Sequence, residues 1–307
     1  MQVFNRFEDL PEIHAGCVIA LGTFDGIHLG HFDIINTAKD YAAQKGVKSV
    51  VFSFSNHPLD LIAPEKSPPR LCSEEKKKQL LGELGVDVLF NMHFDNKLLT
   101  VSSAQFVMNL IKYFSPGCLV VGDNYSYGYL GAGTAQTLIN DGQKYNFSVI
   151  VRSLVTVDNI IVSSTNIRNF LVTGDIDKAN KLLGREYSVC GAVIDGDKRG
   201  RTLGFPTANL KVDTYNQTIP GDGVYAGYGK LGESIFGAVI SIGKNPTFPA
   251  KERRVEVHLL DFNEDIYGKK LEVIFKIKIR DEQKFDNADD LITGIKADVN
   301  FTKEYLK

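Results

Sequence analysis

The 307-residue chain is short of several features, and each shortage removes a class of function. Its four cysteines, Cys17, Cys72, Cys118 and Cys190, are scattered, with no CxxC and no paired spacing. That argues against a disulfide framework or a cysteine zinc site, and for small buried hydrophobes in a reducing compartment. No apolar run approaches the ~20 residues needed to cross a bilayer. The first residues, "MQVFNRFEDLPEIHAG", are mixed polar and acidic rather than signal-like. A cytoplasmic protein without a membrane partner is expected. Lys and Arg number 35 against 37 Asp and Glu, so no overall basic field favours nucleic acid. Any phosphate binding must therefore come from local geometry. No GxxxxGK[ST] loop supplies it, since "GAVIDGD" has the glycine spacing but Asp197 where lysine is required. No internal repeat and no low-complexity tract is visible.

The length suggests two domains, and the hydrophobic pattern divides the chain accordingly. Up to about residue 183, apolar runs such as "CVIAL", "SVVFSF", "VDVLFNM" and "CLVVG" alternate with helical patterns. In "HFDIINTAKDYAAQKG", Ile34, Ile35, Ala38 and Ala42 fall on one face and Gly46 is placed to end the helix. Val- and Ile-rich runs without strict alternation fit parallel strands buried on both faces, so residues 1–183 read as a doubly wound α/β domain. From Gly184 onward, "YSVCGAVIDG", "GVYAGYG", "SIFGAVISIG", "RRVEVHLLDF" and "KKLEVIFKIKIRD" are strand-like runs between Gly-rich turns. Residues 184–307 read as an antiparallel sheet or small barrel. A final helix carries Ala288, Leu291, Ile292, Ile295 and Val299 on one face.

Just after "CVIAL" comes "GTFDGIHLGH", with His28 and His31 around Gly30. A zincin helix needs HExxH; here the spacing is i, i+3 and no third ligand is near. The histidines could simply cap and pack. Yet Gly22, Gly26 and Gly30 let backbone approach a ligand, and a helix starting near Gly30 brings free N–H groups and a positive dipole end. Two imidazoles at such a helix start make an anion site. Further on, "SSTNIRNFLVTG" offers Ser164 and Thr165 at a helix start and Arg168 one turn later. Alone, that stretch is equally a good N-cap. Together, the HxGH and SSTxxR elements resemble those of the nucleotidylyltransferase superfamily, which hold ATP phosphates. The resemblance implies that His28 and His31 stabilise charge at the α-phosphate and that Arg168 steadies the departing pyrophosphate.

In the second half, "GDKRGRTLGFPTANL" places Thr207 and Asn209 after Pro206, two hard oxygen ligands suited to Mg²⁺ on a nucleotide. Spacing alone serves as well for a Gly-rich hairpin followed by an edge strand. "GRTLGFPTANL", "DGVYAGY" and "VEVHLLDF" resemble riboflavin kinases. "FSFSNHP", "PPRLCSEEKKKQLLGELGVD", "VVGDNYSYG" and "SSTNIR" resemble the FMN adenylyltransferase domain fused to them in bacteria. The resemblance runs from about Val18 to the terminal helix.

It implies a bifunctional transferase that makes FMN from riboflavin and ATP, then FAD from FMN and ATP. Mg²⁺ is the implied cofactor. The implied partners are small molecules, with no nucleic acid, no membrane and no oligomeric state assigned. The implied base for the ribityl hydroxyl is Glu256, with Thr207, Asn209 and Gly196 on Mg²⁺–ATP. ATP at the other site falls on Gly22, Phe24, Asp25, Gly30, Ser164, Thr165 and Arg168, and flavin on Asn124, Tyr125 and Arg201. Two departures stand out. Many relatives read "FRFG" where this chain has Tyr125, Ser126, Tyr127 and Gly128, and Asn56 replaces a common proline before His57. An enzyme with a silent first site, and a flavin carrier without turnover, are the competing readings.

Overall fold

The computed structural model describes residues 1–11, 16–196, 200, 203–212, 217–244 and 253–307. It contains two compact units, one of Met1–Pro68 with Glu74–Val162, the other of Pro69–Ser73 with Ser163–Lys307.

The first unit is built from β1 (Gln2–Phe4), β2 (Val18–Leu21), α1 (Leu29–Lys45), β3 (Ser49–Phe54), α2 (Glu74–Glu83) and β4 (Val88–Met92). These are followed by α3 (Ser103–Phe114), β5 (Cys118–Gly122), α4 (Ala135–Tyr145) and β6 (Ser148–Arg152). The strands form one parallel sheet in the order β1-β4-β3-β2-β5-β6. Alternate residues serve opposite faces, as parallel strands covered on both sides require. Ile19, Leu21, Val50 and Phe52 pack with Val107, Leu110 and Phe114 of α3, whereas Val18, Ala20 and Val51 pack with Ile35, Ala38 and Ala42 of α1. Gly46, in the left-handed region at φ +67°, ends α1 where the sequence places the stop. From β2 the chain winds outward to β3 and β4, then returns to β5 on β2's other side. The sheet is thus doubly wound, with its switch point between β2 and β5, where α/β sheets hold ligands beyond the strand carboxyl ends.

The second unit opens with helices α5 (Ser164–Thr173) and α6 (Ile176–Leu183). Strands β7 (Tyr187–Ile194), β8 (Ala208–Val212), β9 (Gly223–Leu231), β10 (Ser234–Gly243), β11 (Arg254–Leu259) and β12 (Lys270–Arg280) follow. They close an antiparallel barrel in the order β7-β8-β11-β10-β9-β12. Period-two burial in β7 and β11 sends Tyr187, Val189, Val255 and Val257 inward. Asn180 of α6 ties the helix pair to the barrel, donating to the Phe275 carbonyl at 3.0 Å and accepting from the Tyr187 N–H at 2.7 Å.

Helix α7 (Ala288–Tyr305) ends the chain. Its apolar stripe is only half-buried and Ala288 is exposed; the buried positions are Asp298 and Thr302. The reason is a bidentate ion pair, Arg280 Nε and Nη2 to Asp298 at 2.9 and 2.7 Å, which draws a charged face of the helix inward. Apolar periodicity cannot register such a pair.

Candidate active sites

Beyond β2 the backbone makes a tight, strained loop. Phe24, Gly26 and Ile27 all have positive φ (+49°, +83° and +41°), a state that bulky residues adopt only when the surroundings enforce it. Phe24 is fully buried, and the Thr23 carbonyl accepts from Ser53 Oγ at 2.9 Å. A side chain at Gly22 would stand 2.9 Å from the Phe24 ring, so that turn needs glycine. Asp25 is buried beside Phe24.

The loop delivers His28 as the N-cap of α1. Its Nδ1 accepts from the His31 N–H at 3.2 Å, which puts the proton of a neutral ring on Nε2. A side chain at Gly30 would lie 3.3 Å from the His28 ring, so glycine lets the imidazole cross the helix start. The two imidazoles stack at 3.6 Å between centroids, and Phe24 meets His31 edge-on at 5.3 Å. Sequence and structure therefore agree that His28, His31 and Gly30 share one helix N-terminus. One contact there had no sequence signal. Arg152, at the end of β6, clamps Asp33 in the first turns of α1 through two bonds of 2.7 and 2.8 Å, and these hold the guanidinium above its ordinary pKa. The pair is 119 residues apart in the chain.

Past β5, Asn124 is exposed and Tyr125 is half-buried, stacked on Tyr127 at 5.7 Å. Burial pushes the Tyr125 phenol up. Ser126 is exposed on a short hairpin, opposite Thr134.

In the second unit, the cap of α5 is Ser163, whose Oγ accepts from the Asn166 N–H at 3.2 Å. Ser164 and Thr165 are the first helical residues, with Thr165 exposed. Arg168 donates from Nε to the Pro69 carbonyl at 2.6 Å.

The barrel brings a second group together by register. Asn209 of β8 stands opposite Glu256 of β11, and Thr207 Oγ1 approaches Glu256 Oε2 at 3.4 Å. Asn209 Oδ1 is buried and, among the described residues, has no hydrogen-bond partner. Any side chain at Gly196 would run into the Asn209 amide, so glycine holds this corner open. Arg201 lies outside the described residues. Next to Thr207 is a pocket of about 260 Å³, walled by Val193, Pro206, Ala208, Val257, Leu259 and the segment Phe262–Tyr267. That segment was not singled out from sequence. Its signal is "DFNEDIYG" after a strand, where Asp261 turns at φ +54° and the Asp265 side chain accepts from the Tyr267 N–H.

Two family models match the chain, FAD synthetase over residues 10–166 and riboflavin kinase over residues 183–306. A bifunctional riboflavin kinase/FMN adenylyltransferase of Bacillus subtilis is 37% identical, across 94% of this chain and 92% of its own. The chain belongs to the bifunctional riboflavin kinase/FMN adenylyltransferase family. Another member, from Pseudomonas fluorescens, is 36% identical over 97% of this chain and 96% of its own. The family fold also appears in a solved structure from Streptococcus pneumoniae, described as a macrolide-efflux protein. It is 33% identical, covers 98% of both chains and has a TM-score of 0.87. Among the described residues of this chain, no helix is long and apolar enough to cross a membrane.

Proposed function

We propose that this chain phosphorylates riboflavin with ATP to give FMN and ADP, then joins FMN to ATP to give FAD and pyrophosphate. The observation that carries this reading is one chain holding both an HxGH helix start and the Thr207–Asn209–Glu256 cluster. We divide the chemistry at residue 183, with adenylyl transfer assigned to 1–183 and the kinase to 184–307.

In the kinase reaction, Glu256 takes the proton of the ribityl hydroxyl as that oxygen attacks the γ-phosphorus and ADP leaves. Asn209 and Thr207 face the same point. A buried acceptor with no hydrogen-bond partner among the described residues, beside a hydroxyl and a carboxylate, suits a hard cation, so the residues fit Mg²⁺. Bound there with ATP, Mg²⁺ would neutralise phosphate charge. We place the nucleotide in the pocket along Phe262–Tyr267, with Gly196 giving its phosphates close backbone approach. Arg201 is assigned to the flavin.

In adenylyl transfer, the FMN phosphate attacks the α-phosphorus of ATP and pyrophosphate departs. No base is needed, because the nucleophile is already ionised. His28 donates from Nε2, and His31 and the first N–H groups of α1 add to it, where charge grows on the non-bridging oxygens. Gly22, Phe24, Asp25 and Gly30 shape the loop around the nucleotide; Ser164, Thr165 and Arg168 are assigned to its phosphates. Asn124 and the Tyr125–Tyr127 stack are assigned to the flavin, since a planar ring favours an aromatic face. Four free cysteines and a net charge of -2 support a cytoplasmic enzyme that acts on small molecules and not on nucleic acid.

The test is incubation of the purified chain with riboflavin, ATP and Mg²⁺, with FMN and FAD resolved by chromatography. Both products are expected in succession. FMN alone would leave the first site silent, and bound flavin without either product would make the chain a carrier.

A further inference from the structure

Antiparallel pairing of β8 with β11 begins at Ala208, opposite Val257, and leaves Thr207 just outside it. Pro206 cannot extend the ladder, because it has no backbone N–H. His258 takes hold there instead. Its Nδ1 lies 2.8 Å from the Pro206 carbonyl oxygen, which can only accept, so the ring carries a proton on Nδ1. Period-two burial sends Val255, Val257 and Leu259 inward, which puts Glu256 and His258 together on the outer face of β11. Glu256 meets Thr207 Oγ1 at 3.4 Å, and His258 meets the carbonyl of the residue before it. The segment is held on its other side as well. The Phe205 N–H donates to the Gly200 carbonyl at 2.8 Å, and the Phe205 ring meets His258 edge-on at 5.7 Å. A side chain at Gly200 would run into the Phe205 carbonyl and stand 3.2 Å from Thr207 Oγ1, so glycine lets the turn close.

We infer that His258 is a positioning residue for the kinase reaction, fixing Thr207 through the Pro206 carbonyl. The inference rests on the assignment of Thr207 and Glu256 to that reaction. Thr207 lies between two anchors. After it, Ala208 enters the ladder of β8; before it, the imidazole pins the Pro206 peptide oxygen. The proline ring already sets φ at residue 206, and the pinned carbonyl sets ψ, so the peptide plane that leads into Thr207 has one orientation. The threonine hydroxyl then stays beside Glu256. Without the imidazole that peptide could turn, and the hydroxyl would meet the metal–nucleotide only part of the time. The demand on residue 258 is narrow: an N–H at the place of Nδ1.

The experiment uses the full chain and two substitutions that separate the ring nitrogens. The amide nitrogen in His258→Asn stands as far along the side chain as Nδ1, and that in His258→Gln as far as Nε2. FMN formation is followed at varied Mg²⁺–ATP. His258→Gln is expected to lower kcat/KM for Mg²⁺–ATP by about 3- to 10-fold through a raised KM, the value of one hydrogen bond, with the KM for riboflavin unchanged. His258→Asn restores most of the loss. FAD formation from supplied FMN is unchanged in both. A chain that was merely less folded would lose maximal rate and move no half-saturation value. A second readout needs no substrate. In the chain labelled with ¹⁵N-histidine, the ring signals that vanish in His258→Asn should report a neutral imidazole protonated at Nδ1. A ring protonated at Nε2 overturns the inference, since no donor then faces Pro206. An unmoved KM for Mg²⁺–ATP in His258→Gln overturns it too, as does a His258→Asn chain no better than His258→Gln. If the parent chain makes no FMN, the kinase assignment falls and the inference with it. Normal FMN formation in the parent beside an unmoved His258→Gln removes the inference alone.

Discussion

Around His28 much of what is presented is main chain: a loop with three positive φ angles and the first N–H groups of a helix. Around Glu256 it is side chains, held opposite one another by antiparallel register. The contrast follows from the two sheets. Parallel strands end together at one edge and hand over to helices, so their ends are rich in unpaired backbone donors. Barrel strands satisfy their backbone internally, and what they offer is a fixed spacing of side chains across neighbouring strands. A backbone site keeps part of its function when a side chain is lost. A side-chain site does not.

The largest effect is therefore expected in the barrel. Glu256→Gln keeps size and register while removing the ability to take a proton. FMN formation should fall by ~10²–10⁴, with FAD formation from supplied FMN intact. Phosphoryl transfer through a loose transition state deprotonates late, which favours the lower part of that range. Near-normal kinase turnover would make Glu256 a positioning residue and erase the contrast. At the other site, His28→Ala or His31→Ala should lower FAD formation by ~10²–10³ and leave FMN formation alone, as removal of one donor from a set usually does. Equal loss of both products in a folded variant would mean the two sites are not independent.

How much of this was readable beforehand differs between the two units for the same reason. The strands, α1 with its Gly46 stop, and the HxGH loop are local, and local pattern carries them. The pairing of Asn209 with Glu256 is not local, and only the resemblance to riboflavin kinases joined those residues before the register did. Contacts with no period and no motif were invisible. Arg152 with Asp33, Arg280 with Asp298, and Pro69 with Arg168 and Thr218 each join distant segments by one or two polar bonds. Within "SST", adjacent hydroxyls leave the capping residue open in sequence, and backbone geometry selects Ser163.

A smaller effect tests where the second unit begins. Fragment 184–307 holds every barrel strand but lacks Asn180, whose amide serves the Phe275 carbonyl and the Tyr187 N–H. It also uncovers the face that Ile176, Ala179, Leu182 and Leu183 bury. Fragment 163–307 keeps both. Urea unfolding should find the shorter fragment less stable by about 2–3 kcal/mol, with each lost backbone partner worth about 1 kcal/mol before the apolar face is counted. Equal stability would show that α5 and α6 only lean on the barrel. Kinase activity is expected in both wherever they are folded.

The smallest effect addresses Ser126, where many relatives have arginine. The position is exposed on its hairpin, so Ser126→Arg can be accommodated without repacking. It adds a side-chain cation to a unit that otherwise leans on backbone. If the hairpin faces the FMN phosphate, attraction between an exposed cation and a phosphate should lower the KM for FMN in FAD formation by up to about fivefold, the equivalent of up to about 1 kcal/mol. The gain is ground-state binding, so kcat should hold, and riboflavin phosphorylation should not change. Raising the ionic strength should erase the gain, because an exposed pair is screened within a Debye length of about 8–10 Å at ordinary salt. A fall in KM that survives high salt would point instead to a rearranged hairpin. An unchanged KM would show that this position does not meet the flavin phosphate, and that the first site works through main chain and imidazoles.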